Sequence, residues 1–214
     1  RSTPLRFFSS AGTMNYTTEL EAINTMLSSI GSSAVSGLTS PLGAEVAIAQ
    51  NILTETRREV LSRGWAFNSD QKMEVAVPSS GEYTVGENIL RIDGSDGYNG
   101  DLDLVQRAGK LWDRKDHTYA LGETKITIDV IYNLNFTDLP EVARRYVTVR
   151  AARVFADRIV GYNHQHQFTI QDEYQALSTL KEYEGDTGDY SMLTGNWDVY
   201  RIVRRGSPIR DVGF

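Results

Sequence analysis

Apolar residues recur at helical spacing toward both ends of the chain and in alternation through its middle, and this change of period divides the sequence. Leu20, Ile23, Met26, Leu27 and Ile30 lie on one helical face between a Thr18–Glu21 capping pair and Gly31. A Ser-, Gly- and Pro-containing loop follows from Ser32 to Leu42. Val46, Ala49, Ile52, Leu53, Thr56 and Val60 then form a second stripe that stops at Gly64.

From Trp65 the period becomes two. Met73–Val77, Tyr83–Val85, Ile89–Ile92, Leu102–Val105, Lys110–Trp112 and Lys125–Tyr132 read as short strands, with a turn-rich loop from Asp93 to Asp101. The segment 65–136 is therefore expected to be an antiparallel sheet inserted between helices.

The longest helical signal runs from Asp138 to Val160. Asp138 and Glu141 have the spacing of a reciprocal cap, Pro140 falls where no donor is lost, and Gly161 supplies a left-handed stop. Val142, Tyr146, Val149, Ala156 and Val160 share one face, and Ala143, Val147, Ala151 and Val154 another. A helix apolar on two sides belongs at the centre of a bundle. Five arginines, Arg144, Arg145, Arg150, Arg153 and Arg158, are threaded through it and require partners, within the subunit or across a subunit contact.

A further helix, capped by Thr169 and Asp172, carries Tyr174, Leu177, Leu180 and Tyr183 and fades at Gly185 or Gly188. The sequence then loses periodicity, with Trp197, Val199, Tyr200, Ile202 and Val203 scattered through a tail of the kind that orders against a neighbour. The expected fold class is α+β: a helical bundle of about four helices over 14–64 and 137–190, interrupted by the inserted sheet at 65–136. Residues 1–13 read as a leader added before Met14, and 191–214 as the C-terminal tail.

A hydrophobic content of 40% is enough for a substantial core. No run approaches the ~20 apolar residues of a membrane-spanning helix. The formal charge of −6 argues against a general nucleic-acid binder, and phosphate repulsion would let DNA slide past such a surface without sticking. With no cysteine, neither disulfides nor thiolate zinc sites are available.

Candidate chemistry is sparse. The Asp93–Asp103 loop would need ligands at its third, fifth and twelfth positions and Gly at its sixth to hold calcium as an EF-hand does. Ser95, Gly97 and Leu104 occupy the first three of these, so a solvated hairpin loop is expected. His164 and His166 lie two apart and His117 stands by itself, a pattern of hydrated loop histidines rather than a metal site. Glu82, Glu87, Asp93 and Asp96 cluster near turns of the sheet and are the carboxylates a glycoside hydrolase reading would test first. There is no nucleophile elbow, phosphate loop or dinucleotide fingerprint. No catalytic residue, metal or cofactor is assigned.

Four stretches resemble the tail tubular protein A family, the adaptor or gatekeeper of short-tailed bacteriophages. They are Leu20–Gly31 with Val35 and Leu38 following, Ser62-Arg63-Gly64-Trp65-Ala66-Phe67-Asn68, Asp138-Leu139-Pro140-Glu141 through Phe155 to Gly161, and Glu182–Glu184 with Gly188–Leu193. The Arg-Gly-Trp-x-Phe-Asn element is the most specific.

The resemblance implies a structural virion protein: a dodecameric ring beneath the portal protein, joined to the tail nozzle (tail tubular protein B) and supporting tail-fibre attachment. Viral DNA would pass through its lumen at ejection without specific binding. The implied location is the virion tail, after assembly in the host cytoplasm. The rival from another class is a virion-associated glycan hydrolase acting on host surface polysaccharide; a weaker one is a binding module that uses the sheet. Arg144, Arg145, Arg150, Arg153, Arg158, Trp197 and Tyr200 are the candidate subunit or portal contacts. Gly64, Trp65 and Phe67, where the period switches, are the candidate junction between bundle and sheet.

Overall fold

A computed structural model of the chain describes residues 16–39, 43–95, 97–161 and 168–187. Two helices, α1 (Glu19–Ser29) and α2 (Ala44–Leu61), precede the sheet, and two, α3 (Glu141–Ile159) and α4 (Ile170–Thr187), follow it. Five strands lie between: β1 (Ser69–Ala76), β2 (Ile89–Gly94), β3 (Leu104–Arg107), β4 (Lys110–Asp113) and β5 (Lys125–Tyr132). Short 3-10 turns at Ala66–Asn68 and Phe136–Asp138 stand where the chain enters and leaves the sheet. The fold is α+β.

All strand pairs are antiparallel, in the spatial order β1-β5-β2-β3-β4. The first and last strands of the insertion are therefore neighbours, which lets the chain leave and rejoin the bundle at one place. Along β5, Ile126, Ile128 and Val130 alternate into a second core with Ile92, Leu104, Leu111 and Leu121. The segment 83–85 is not a regular strand: Thr84 forms an isolated bridge to Lys110, and Val85 N–H and Tyr83 C=O pair with Gly109 and Leu111. That segment covers the outer edge of β4.

The bundle core is separate and larger. α3 packs on α1, α2 and α4, and buries Ala143, Tyr146, Val147, Val149, Ala151, Ala152, Phe155 and Ala156. Small residues at 143, 151, 152 and 156 permit that crowding on several sides, while Tyr146 and Phe155 fill the larger gaps. Val142 and Val154 are partly buried, and Val160 is 37% exposed.

Two caps form as their spacing predicts. Thr18 accepts from Glu21 N–H while the Glu21 carboxylate accepts from Thr18 N–H, and Thr169 with Asp172 does the same ahead of α4. The expected cap of α3 does not form. Asp138 ends a 3-10 turn, Pro140 is the N-cap with no side-chain bond, and the helix starts at Glu141. Proline at 140 keeps Leu139 extended (φ −79, ψ 148), which breaks the register Asp138 would need. The Glu141 carboxylate instead accepts from the backbone N–H of Thr17 (2.8 Å) and its hydroxyl, tying the segment before α1 to the start of α3.

The loop after α1 is held by Asn24. Its amide donates to the Val35 carbonyl (3.0 Å) and accepts from the Val35 N–H (2.8 Å), pressing Val35 and Leu38 against the core. Among the described residues, no helix is long and apolar enough to cross a membrane.

Candidate functional site

The junction between bundle and sheet is built from a few consecutive residues. Gly64 ends the turn after α2 in the left-handed region (φ +73), and a Cβ there would stand 2.7 Å from Ile131 Cδ1. Trp65 is 6% exposed, donates from Nε1 to the Val60 carbonyl at 2.8 Å, and lies parallel to Phe67 with ring centroids 6.4 Å apart. Asn68, 2% exposed, accepts from Trp65 N–H (2.8 Å) and donates to the carbonyls of Leu61 (3.0 Å) and Tyr132 (2.8 Å). One amide thus joins α2, the turn and β5. Glu184 of α4 accepts from Ala66 N–H with both oxygens, at 2.8 and 2.9 Å.

The arginines of α3 divide by partner. Arg144 is 6% exposed and donates to the backbone carbonyls of Leu139 (2.8 Å), Thr17 (2.9 Å) and Thr137, with Tyr16 and Phe136 near its guanidinium. The guanidinium holds its five N–H donors in a rigid planar fork, which lets one side chain serve three carbonyls from Nε, Nη1 and Nη2. Arg150 joins Glu59 of α2 (2.6 Å) to Glu173 of α4, and Arg153 meets Glu173 (2.5 Å) and Asp157 (3.1 Å). Burial pushes the Glu173 carboxyl up, but the hydrogen bonds from Arg153 and Arg150 outweigh it and hold the group below the usual glutamate value. Burial likewise disfavours the charged Arg150, and Glu59 and Glu173 more than reverse it. Arg158 pairs with Glu55 (2.9 Å), whose carboxyl that hydrogen bond holds down.

Arg145 differs from the other four. It is exposed, lies near the ring of Phe168 (5.7 Å), and has no carboxylate within salt-bridge distance among the described residues. It stands between two grooves. One, of about 400 Å³, runs between α3 and α4 and is lined by Glu141, Val142, Asp172, Gln175, Ala176 and Thr179 as well. The other, of about 520 Å³, lies against α1 and includes Tyr16, Thr18, Glu21, Thr25 and Thr148. Thr148 is 3% exposed, with a buried hydroxyl that has no hydrogen-bond partner. Trp197 and Tyr200 lie outside the described residues.

Of the carboxylates singled out in the sheet, two are taken up in separate ion pairs and Glu87 is exposed. Glu82 meets Lys110 (2.5 Å) and Asp93 meets Arg91 (3.1 Å), while Asp96 lies outside the described residues. A polar cavity of about 340 Å³ at the base of the sheet is lined by Asp93, Asp70, Asp129, Arg63 and Arg91 among others. Among the described residues no three His, Asp or Glu side chains gather as metal ligands, and His164 and His166 are outside them.

Sequence reasoning missed Asn68, Glu173 and Glu184. The polar Asn68 inside an otherwise apolar Trp-x-Phe-Asn stretch was the available signal for the first. The two glutamates sit among other acids, and nothing local distinguishes them.

No curated protein sequence matches the chain. The Tail tubular protein family matches residues 20–190, from the second residue of α1 through α4, spanning both halves of the bundle and the whole inserted sheet. The chain belongs to the tail tubular protein family and is a structural component of a bacteriophage tail.

Proposed function

We propose that the chain is the adaptor that closes into a ring, dodecameric by the family resemblance, between the portal protein and the tail nozzle. Identical subunits in a closed ring meet through two different faces, so each must offer a rigid pair of surfaces rather than one self-complementary patch. The observation that carries this reading is the division of the α3 arginines. Arg150, Arg153 and Arg158 brace α2, α3 and α4 through carboxylates of the same subunit, whereas the exposed Arg145 has none within salt-bridge distance among the described residues, acts on Asp172 only from farther away, and stands between two grooves.

In this reading Arg145 contacts a neighbouring copy, and Arg144 with the three ion-paired arginines keeps that face in shape. Trp197 and Tyr200 reach the portal or an adjacent copy. The sheet projects from the bundle as part of the surface where nozzle and tail fibre attach. DNA passes through the lumen at ejection past a chain of net charge −6, which disfavours adhesion to phosphate. Assembly takes place in the host cytoplasm. Cosedimentation with the purified cognate portal tests the reading: stoichiometric association is expected, and a chain left wholly in the supernatant would overturn it.

A further inference from the structure

Of the buried polar residues among those described, Thr148 alone has a buried polar atom with no hydrogen-bond partner. Other helical hydroxyls find one locally: Thr25, Ser178, Thr179 and Thr187 donate to the carbonyl four residues back, at 2.9, 3.0, 3.1 and 2.7 Å. A buried donor left unpaired destabilises the subunit that carries it. Thr148 stands one helical turn from Arg145 on α3, and both line the groove against α1. Arg145 is exposed and has no carboxylate within salt-bridge distance among the described residues. The groove thus carries two neighbouring donors that the subunit itself leaves unused.

The acceptor that suits them is not a carboxylate. Glu21 lines the same groove, and Glu141 and Asp172 line the groove on the other side of Arg145. The backbone N–H of Thr18 holds the Glu21 carboxyl below the usual glutamate value, and that of Thr169 holds Asp172 below the usual aspartate value, so both are charged at neutral pH. A further negative group would meet three carboxylates beside one exposed guanidinium. A neutral main-chain carbonyl avoids that repulsion, and the adjacent Arg144 already serves three such carbonyls. Glu21 takes both of its bonds from Thr18 on Oε2, which leaves Oε1 for a main-chain N–H.

We propose that this groove binds an extended main-chain segment of a neighbouring copy, with Arg145 and Thr148 donating to its carbonyls and Glu21 Oε1 accepting from one of its N–H groups. The inference rests on the ring reading and says what the Arg145 contact is made of. Helical threonine populates two χ1 rotamers, so a turn about that one bond presents the hydroxyl to the incoming segment. Unpaired in the free subunit and paired in the ring, the hydroxyl costs stability before assembly and contributes to it afterwards.

Thr148→Val in the full-length chain gives the test, because valine keeps the shape of the side chain and removes only the hydroxyl. The denaturation midpoint of the isolated variant is expected to equal or exceed the parent's, while the concentration needed for half-maximal ring formation on the purified portal rises roughly threefold or more. Arg145→Gln, which keeps an N–H donor without the charge, is expected to weaken ring formation by a factor that is the same at about 50 and about 300 mM salt. A factor that shrinks severalfold at the higher salt would assign a carboxylate to Arg145 and overturn the main-chain proposal. A lowered midpoint for Thr148→Val, or rings at the parent's concentration, would overturn it while leaving the ring reading standing. A parent chain that forms no ring on a competent portal removes both.

Discussion

Trp65 and Val60 are joined across the end of α2: the indole Nε1 donates to the Val60 carbonyl at 2.8 Å, so the ring that fills the bundle-to-sheet junction also caps a helix carbonyl. Packing and hydrogen bonding therefore fail together when the ring is removed.

Trp65→Ala is expected to lower unfolding free energy by about 3–5 kcal/mol, the range for a large buried aromatic. Trp65→Phe keeps most of the volume but removes the indole donor, leaving the Val60 carbonyl only the longer bond from Arg63 N–H (3.4 Å), for an expected loss of about 0.5–1.5 kcal/mol. Denaturant midpoints of the two variants should fall in that order. A loss below ~1 kcal/mol for Trp65→Ala would show the ring is not packed as described.

Asn68→Ala removes the side-chain partner of Trp65 N–H and of the Tyr132 carbonyl, and one of two donors to the Leu61 carbonyl, which keeps Gly64 N–H at 3.1 Å, at a site 2% exposed. At about 1–3 kcal/mol for each buried group left unsatisfied, a loss of at least ~2 kcal/mol is expected. Asn68→Asp should also destabilise, because it replaces the amide donor to both carbonyls. Chemical denaturation of both variants gives the comparison.

Gly64→Ala and Gly31→Ala share a left-handed backbone but not their surroundings. Each bears a conformational cost of about 1–2 kcal/mol. At Gly64 the new methyl also meets Ile131 at 2.7 Å, whereas nothing lies within 4 Å at Gly31. Thermal unfolding should rank Gly64→Ala as the more damaging change.

Glu173 should make stability fall in acid. Its carboxyl is held below the usual glutamate value, so the contribution is fully present above that unfolded value and is lost as pH falls through the lowered folded value. Glu173→Gln removes the charge that Arg150 and Arg153 both use, at an expected cost of about 1.5–3 kcal/mol at neutral pH. Denaturation midpoints measured between pH 3 and pH 7 should decline toward acid more shallowly for the variant than for the parent.

The helices and the sheet were legible because their signals are local: periods of 3.6 and two, glycine stops, and capping pairs at Thr18 and Thr169. The change of period at Trp65 falls between the end of α2 at Leu61 and the start of β1 at Ser69. The chemistry of that junction was not legible, since the partners of Asn68 and Glu184 lie far away in sequence, at Tyr132 and Ala66. Two local readings failed for identifiable reasons. Pro140 fixed an extended Leu139 and displaced the Asp138 cap, and Tyr83–Val85 forms only a bridge beside β4. The five arginines of α3 look alike in sequence, and only packing separates Arg144, bonded to carbonyls, and the three ion-paired side chains from the exposed Arg145.

Imaging the chain mixed with its purified portal tests the adaptor account most directly, with Arg145→Glu and Arg150→Glu examined beside the parent. The parent is expected to form closed rings on the portal. Arg145→Glu should lose them while keeping the parent's denaturation midpoint, and Arg150→Glu should lower that midpoint by breaking its pairs with Glu59 and Glu173. Absence of any ring on a competent portal would contradict the adaptor account, and intact rings with Arg145→Glu would place the subunit contact elsewhere.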